Sequence, residues 1–321
     1  MTLLAFLLGL AFVAAACGDA ASTPTPEPPA PAVTDAPTPA PATTLDAPTA
    51  EPQAGPDIIP ILASSETSIG RNRFLFGLTD RAGELVAAPD VEVELLFYDV
   101  ESDPDTVLFE TDSRFLWAIE DERGLYAADV TYPSAGRWAT RFNATFPDGT
   151  TETVRAEYTV RETTSTPGLG TAAPGVDTPT ATDAEGELAR ISTDTDPLAS
   201  LYERSLSEAV ASGEPFVVAF VTPAFCQTAT CGPTLDKVKD VATANPDVDF
   251  IHLEPYVMAF KDERLQPVLG EDGRLQAAEW TLEWGLLTEP FVAVVDSDGN
   301  VSAKFEGAIT VEELEEALAE V

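Results

Sequence analysis

Two cysteines, Cys226 and Cys231, stand five positions apart, between an apolar run at 215–221 and a helical pattern that opens at Cys231. Thiols at that spacing can close an intramolecular disulfide, and a thiolate among them can attack a disulfide on another molecule. A strand-to-helix turn favours this chemistry. The helix N-terminus carries roughly half a positive charge, which stabilises thiolate over thiol. Two arrangements are open. In one, Cys226 is the nucleophile after the strand and Cys231 resolves. In the other, Cys231 attacks from the helix start and Cys226 resolves. Helix-dipole physics favours the second.

The elements that must position these thiols follow from periodicity. A helical pattern at 196–213 ends in Gly213, a usual helix stop. The buried strand at 215–221 comes next, then a helix from Gly232 with Pro233 in its first turn, where a missing N–H costs nothing. A second strand is expected at 248–253 and a helix at 275–285. Strands at 290–295 and 301–305 flank the turn Asp296-Ser-Asp-Gly-Asn300, a hairpin signal. A helix at 311–320 closes the chain.

This α-β-α-β-α-β-β-α order over residues 197–321 resembles the thioredoxin fold. Its marks are Cys231-Gly232-Pro233, Thr288-Glu289-Pro290 and Phe305-Glu306-Gly307. The resemblance implies a cis Glu289–Pro290 bond facing the cysteine turn, with Pro290, Glu289 and Phe225 shaping a substrate groove. It implies no cofactor. The motif departs from the family, whose cysteines are separated by Gly-Pro; here the spacing is Cys-x4-Cys and Thr234 occupies the family's second position. A Glu289 carboxylate beside the thiols would raise their pKa. The expectation is a modest nucleophile and a stable disulfide, not an oxidant poised near about −120 mV.

Other chemistry is less well matched. Pro223, Thr228 and Cys231 resemble the peroxiredoxin Pro-x3-Thr-x2-Cys pattern with one residue too many. His252 is the single histidine of the chain. A copper role for it would resemble the Sco family, but the cysteine spacing differs and no histidine lies near Pro290, so it reads as structural and no metal is expected. The Asp296 turn resembles the start of a calcium loop but has Gly307 where that loop needs glutamate. No Gly-x-Ser-x-Gly elbow is present.

Charge and composition limit the partners. The chain has 55 acidic against 17 basic residues, a net charge of −38, which argues against nucleic acid, since phosphate binding needs clustered Lys and Arg. The acidity reads as a compositional habit or as solubility at high salt. Residues 3–13 are an apolar run too short to span a bilayer, followed by Ala14-Ala15-Ala16-Cys17. This resembles a bacterial lipoprotein signal, although no Lys or Arg precedes the run. The resemblance implies acylation of Cys17 and attachment at the extracytoplasmic face of the cell membrane. Two cysteines then remain, which in an exported protein points to one disulfide.

Pro, Thr and Ala dominate residues 18–56 and again 163–196, so both are expected to be disordered linkers. Between them, residues 57–162 alternate in the manner of short strands, with runs at 73–78, 91–98, 125–132, 137–146 and 151–160 and a hairpin turn at 147–150. About seven strands are expected, as in an immunoglobulin-like β-sandwich. Gly124-Leu-Tyr-Ala-Ala and Ala135-Gly-Arg-Trp resemble small extracytoplasmic sandwiches of the YtkA-like kind. Phe74, Phe76, Tyr126 and Trp138 read as core. Two functions follow: a membrane-tethered thiol–disulfide oxidoreductase acting on protein thiols or disulfides, or a non-enzymatic lipoprotein scaffold for an extracytoplasmic protein partner, with a structural disulfide. A peroxiredoxin-like peroxidase is the minor alternative.

Overall fold

The computed structural model describes residues 57–321. The expected signal segment 1–17 with Cys17, and the tether 18–56, lie outside the described residues. Among the described residues, no helix is long and apolar enough to cross a membrane.

The first part is a β-sandwich of two four-stranded antiparallel sheets. One contains β1 (Ile58–Leu62), β2 (Gly70–Asp80), β5 (Arg114–Ile119) and β6 (Arg123–Tyr132), in the order β1-β2-β6-β5. The other contains β3 (Glu92–Asp99), β4 (Phe109–Asp112), β7 (Gly136–Thr145) and β8 (Thr151–Val160), in the order β4-β3-β7-β8. Alternation along each strand sends every second side chain inward. Phe74, Phe76, Phe97, Tyr126, Trp138 and Phe142 thereby share one buried cluster. The four aromatics read as core in the sequence are core. The β7–β8 turn is the expected hairpin: Gly149 takes φ 84°, and Asp148 Oδ1 accepts the Thr150 N–H at 2.9 Å. The short β4 brings the strand count to eight.

The second part is built on β9 (Phe216–Phe220), which is buried at every residue, as a strand covered on both faces must be. It pairs in parallel with β10 (Asp249–Leu253) and antiparallel with β13 (Phe291–Val295), which pairs with β14 (Val301–Glu306). Val217, Ala219 and Val221 pack on one side with helices α2 (Cys231–Ala244) and α4 (Val311–Leu318), through Leu235, Val238 and Leu314. Phe216, Val218 and Phe220 pack on the other with α1 (Leu206–Ser212) and with Trp284, which follows α3 (Glu279–Glu283). A hairpin of β11 (Met258–Lys261) and β12 (Arg264–Pro267) lies between β10 and α3.

Two expected helices are shorter than their patterns. The 196–213 pattern splits into a 3₁₀ turn at Ala199–Tyr202 and α1, because Ser205 starts a new helix through a capping box with Glu208. Only five residues of the 275–285 pattern are helical. The backbone before them pairs with the loop after β10 instead, through Val257 N–H to Gln276 O at 2.8 Å and Ala278 N–H to Pro255 O at 2.9 Å.

The expectation that residues 163–196 are a disordered linker is corrected. The segment lacks long regular elements, yet it docks along the second part. Gly170 N–H donates to Val301 O (2.8 Å) and Ala173 N–H to Gly299 O (2.9 Å). The Trp284 indole donates to Pro174 O (3.1 Å), and Leu206 N–H donates to Thr178 Oγ1 (2.9 Å). Lys304 Nζ donates to Thr166 Oγ1 (2.8 Å) and Pro167 O (3.2 Å). Backbone pairing satisfies its polar groups, so few large apolar side chains are needed to hold it. Composition reports the missing apolar side chains and is blind to those main-chain bonds.

The two parts share an interface. Arg73 of β2 donates through Nε and Nη2 to Glu313 of α4 (2.8 and 2.9 Å) and to the carbonyls of Glu306 and Ala308. Arg114 pairs with the same carboxylate. Lys237 of α2 donates to Trp117 O (2.7 Å) and Ile309 O (2.9 Å). Leu75, Leu116, Ala118 and Ala127 of the sandwich share a buried cluster with Ala308.

Candidate functional site

Strand β9 hands over to helix α2 through residues 221–230, and this turn carries the disulfide between Cys226 and Cys231, with Cα atoms 5.9 Å apart. The sulfurs are unequal. Cys231 is 0% exposed, within the cluster formed by β9 and α2, whereas Cys226 is half-buried. The Cys231 N–H, at the start of α2, donates to Cys226 Sγ at 3.3 Å. Thr228 Oγ1 lies 3.3 Å from the same sulfur and 2.8 Å from Thr230 Oγ1. The dipole expectation is therefore corrected: the helix-start donor aims at Cys226, and Cys231 sits behind it. A residue at the first position of a helix cannot receive its own N–H, so the field acts on whatever lies in front. The Thr228 hydroxyl also serves Cys226, not Cys231.

Glu289 and Pro290 come from the loop before β13 and are both buried; their peptide bond is cis. Glu289 Oε1 accepts from Gln227 N–H at 3.3 Å. Sγ of Cys226, Sγ of Cys231 and a Glu289 carboxylate oxygen all lie within 4.8 Å of one another. Glu289 is 7% exposed, so this carboxylate is held near the sulfurs away from bulk water. Burial first, then the influence of the Glu289 carboxylate, push the Tyr256 hydroxyl up to about 12. It stays protonated, and Gln227 Nε2 donates to Tyr256 Oη at 3.3 Å. Phe225 is half-buried beside Cys226.

Supports converge on the turn from three distant segments. Arg123, at the start of β6 in the sandwich, donates to Thr228 O at 2.8 Å. Thr193 Oγ1 accepts the Ala224 N–H at 3.2 Å, and the buried Glu254 carboxylate accepts the Thr193 N–H at 2.6 Å. His252 bonds through Nε2 to Val221 O at 2.9 Å. A carbonyl only accepts, so Nε2 carries the proton and Nδ1 accepts from Tyr202 at 2.7 Å. Burial holds His252 below its ordinary pKa, in the neutral form this pattern requires. His252 is a satisfied core residue that fixes the end of β9. Asp296 Oδ1 accepts from the N–H groups of Asp298 (3.0 Å) and Asn300 (2.9 Å), the geometry of a plain turn.

Of the residues singled out in the sequence, Cys226, Cys231 and Glu289 lie together, with Pro290 next to Glu289 in the chain. Sequence reasoning missed Arg123, Thr193 and Tyr256. Parallel pairing of β9 and β10 puts their C-terminal ends on one edge of the sheet, so Tyr256, three residues past β10, was the findable one. Nothing local marks Arg123 or Thr193. A concavity bordered by Arg73, Arg114, Lys304, Glu306 and Glu313 lies between the two parts and contains none of the cysteine-turn residues.

No protein-family model matches the chain, and no curated protein matches it. Among solved structures, the chain is similar to the PmoD soluble domain from Methylocystis sp. ATCC 49242, at 15% identity, TM-score 0.20, over 30% of this chain and 75% of that one. It is similar to the Lin-41 filamin domain at 14% identity, TM-score 0.20, over 34% of this chain and 100% of that domain. A family 76 glycoside hydrolase from Bacteroides thetaiotaomicron matches at 11% identity, TM-score 0.21, over 31% of this chain and 19% of the hydrolase. At these scores the likenesses carry no argument about function.

Proposed function

We propose that this chain is a thioredoxin-like thiol–disulfide oxidoreductase, preceded by an immunoglobulin-like sandwich and held at the extracytoplasmic membrane face by a lipid on Cys17. The observation that carries the reading is the disulfide at the start of α2 with one half-buried sulfur and one fully buried sulfur. In the reduced form, the Cys226 thiolate attacks a sulfur of a client disulfide. The client bond breaks, one client thiolate leaves, and a mixed disulfide forms. The Cys231 thiolate then attacks Cys226 Sγ, releasing the second client thiolate and leaving Cys226–Cys231 oxidised. Run backwards, the same steps oxidise a client dithiol. The Cys231 N–H stabilises charge on Cys226, and Pro290, Glu289 and Phe225 border the approach. Insulin reduction by the wild type, Cys226→Ser and Cys231→Ser tests the reading. Both variants should lose turnover, and Cys231→Ser should accumulate a mixed disulfide; equal rates in all three remove the enzyme.

A second reading is a scaffold for an extracytoplasmic partner, stapled by the disulfide. The complete burial of Cys231 favours it, since a staple needs no access. It expects a large drop in melting temperature on reduction and no exchange with insulin.

A further inference from the structure

The two sulfurs and the Glu289 carboxylate are, among the described residues, the group of Cys, His, Asp or Glu side chains close enough to hold a metal ion. Once the disulfide opens, two thiols stand beside a buried carboxylate, in a chain of net charge −38. Three anions cannot be packed there without protons or a cation. We propose that the reduced protein binds one thiophilic divalent cation of the zinc class through Cys226 Sγ, Cys231 Sγ and a Glu289 oxygen.

Donor type, geometry and access agree. Two thiolates with one carboxylate form a soft, anionic set suited to zinc rather than to magnesium or calcium. With Zn–S about 2.3 Å and Zn–O about 2.1 Å, a tetrahedral site needs sulfurs about 3.8 Å apart and each sulfur about 3.6 Å from the oxygen. The three donors already lie within 4.8 Å of one another. Opening the disulfide lets the sulfurs separate to that spacing by side-chain rotation, with the Cα atoms still 5.9 Å apart. The Gln227 N–H donates to Glu289 Oε1 at 3.3 Å and orients the carboxylate, as outer partners of metal ligands do. The half-buried Cys226 side leaves the fourth position to water.

The chemistry balances. A dithiol reductant gives two electrons and two protons to the Cys226–Cys231 bond, becomes a cyclic disulfide, and leaves two protein thiols. The cation then displaces both thiol protons and forms two metal–sulfur bonds. Oxidation by a disulfide reverses this and expels the ion, so occupancy follows redox state. The site needs reduced thiols but not turnover, so it stands apart from the exchange activity.

The test uses the full chain carrying Cys17→Ser, reduced with a dithiol and desalted without oxygen. Free thiols are counted first and should number two. Cobalt(II) should then give the visible and near-ultraviolet bands of tetrahedral thiolate coordination at one equivalent. Zinc should displace it and protect both thiols from alkylation. Cys226→Ser and Cys231→Ser should each weaken binding by roughly 100-fold, and Glu289→Gln by roughly tenfold or more while the oxidised Glu289→Gln protein melts as the wild type does. Two titratable thiols in a folded protein that gives no cobalt spectrum would overturn the proposal. So would Glu289→Gln binding as tightly as the wild type, or a disulfide that resists reduction while the protein stays folded. Insulin turnover is read separately, so loss of one result leaves the other intact.

Discussion

Arg123 of the sandwich donates to the carbonyl oxygen of Thr228, between the two cysteines, at 2.8 Å. The bond ties the cysteine turn to a hairpin more than 100 residues away in sequence. Arg123→Ala should leave the global fold intact, at a cost of about 1 kcal/mol, because the side chain is half-buried. It should loosen the turn and speed reduction of the disulfide by a dithiol several-fold. Stopped-flow reduction kinetics give the answer, and unchanged rates would mean that the sandwich does not restrain the turn.

The inequality of the sulfurs makes a labelling prediction. Cys226 is half-buried and receives the helix-start N–H, whereas Cys231 is 0% exposed. In reduced protein, iodoacetamide should modify Cys226 at least about tenfold faster than Cys231, since thiolate character and access both favour it. Time-resolved peptide mass spectrometry measures the ratio. Faster labelling at Cys231 would reverse the assigned roles.

Glu313 sets the acid limb of stability. Burial alone would raise its carboxyl, but Arg73 and Arg114 outweigh burial and hold it below the ordinary carboxylate range. A group whose folded value is lowered contributes stability that is complete above its unfolded value, about 4.3, and fades as the pH falls through the folded value. Glu306 acts in the opposite sense: burial raises its carboxyl, so its contribution is lost as the pH rises through that raised value. Glu313→Gln should cost about 3 kcal/mol at neutral pH by leaving the buried Arg73 uncompensated. It should also flatten the loss of stability below about pH 4. Urea unfolding across pH checks both, and a variant that melts in parallel with the wild type would refute them.

Gly285 tests the docking of 163–196. It holds φ +61°, and a Cβ there would come within 2.1 Å of Ser165 O. Gly285→Ala should destabilise by about 2–4 kcal/mol from strain and overpacking. Because the clash falls on the docked segment, limited proteolysis should cut within 163–196 first. Protection equal to the wild type would show that the segment does not rest on Gly285.

How much was legible varied with the range of the signal. Strands β6, β7, β8, β9 and β13 were readable because alternation or a short apolar run marks them, and Asp148-Gly149 marks a turn by backbone chemistry alone. The cysteine turn was readable because a strand, two thiols and Gly232-Pro233 follow one another within 20 residues. Helix ends were less so. Ser205 interrupts a pattern whose apolar spacing runs through it, and Ala278 stops a helix because its N–H is taken by Pro255. The direction of the Cys231 N–H depends on how the 227–230 turn folds back, with Ala229 at φ 62°, and no periodicity encodes that. Arg123 and Thr193 meet the site only through tertiary folding.

Glu313 also bears on how the molecule can be dissected. Both of its cationic partners, Arg73 and Arg114, belong to the sandwich, while its own helix belongs to the cysteine-bearing half. A fragment cut at the start of the second half would strand this acid, uncover the apolar skin around Ala308 and release the tether on Thr228. Such a fragment would be a poor stand-in for the intact chain, and reactivity measured on it would describe a turn freed from its restraint.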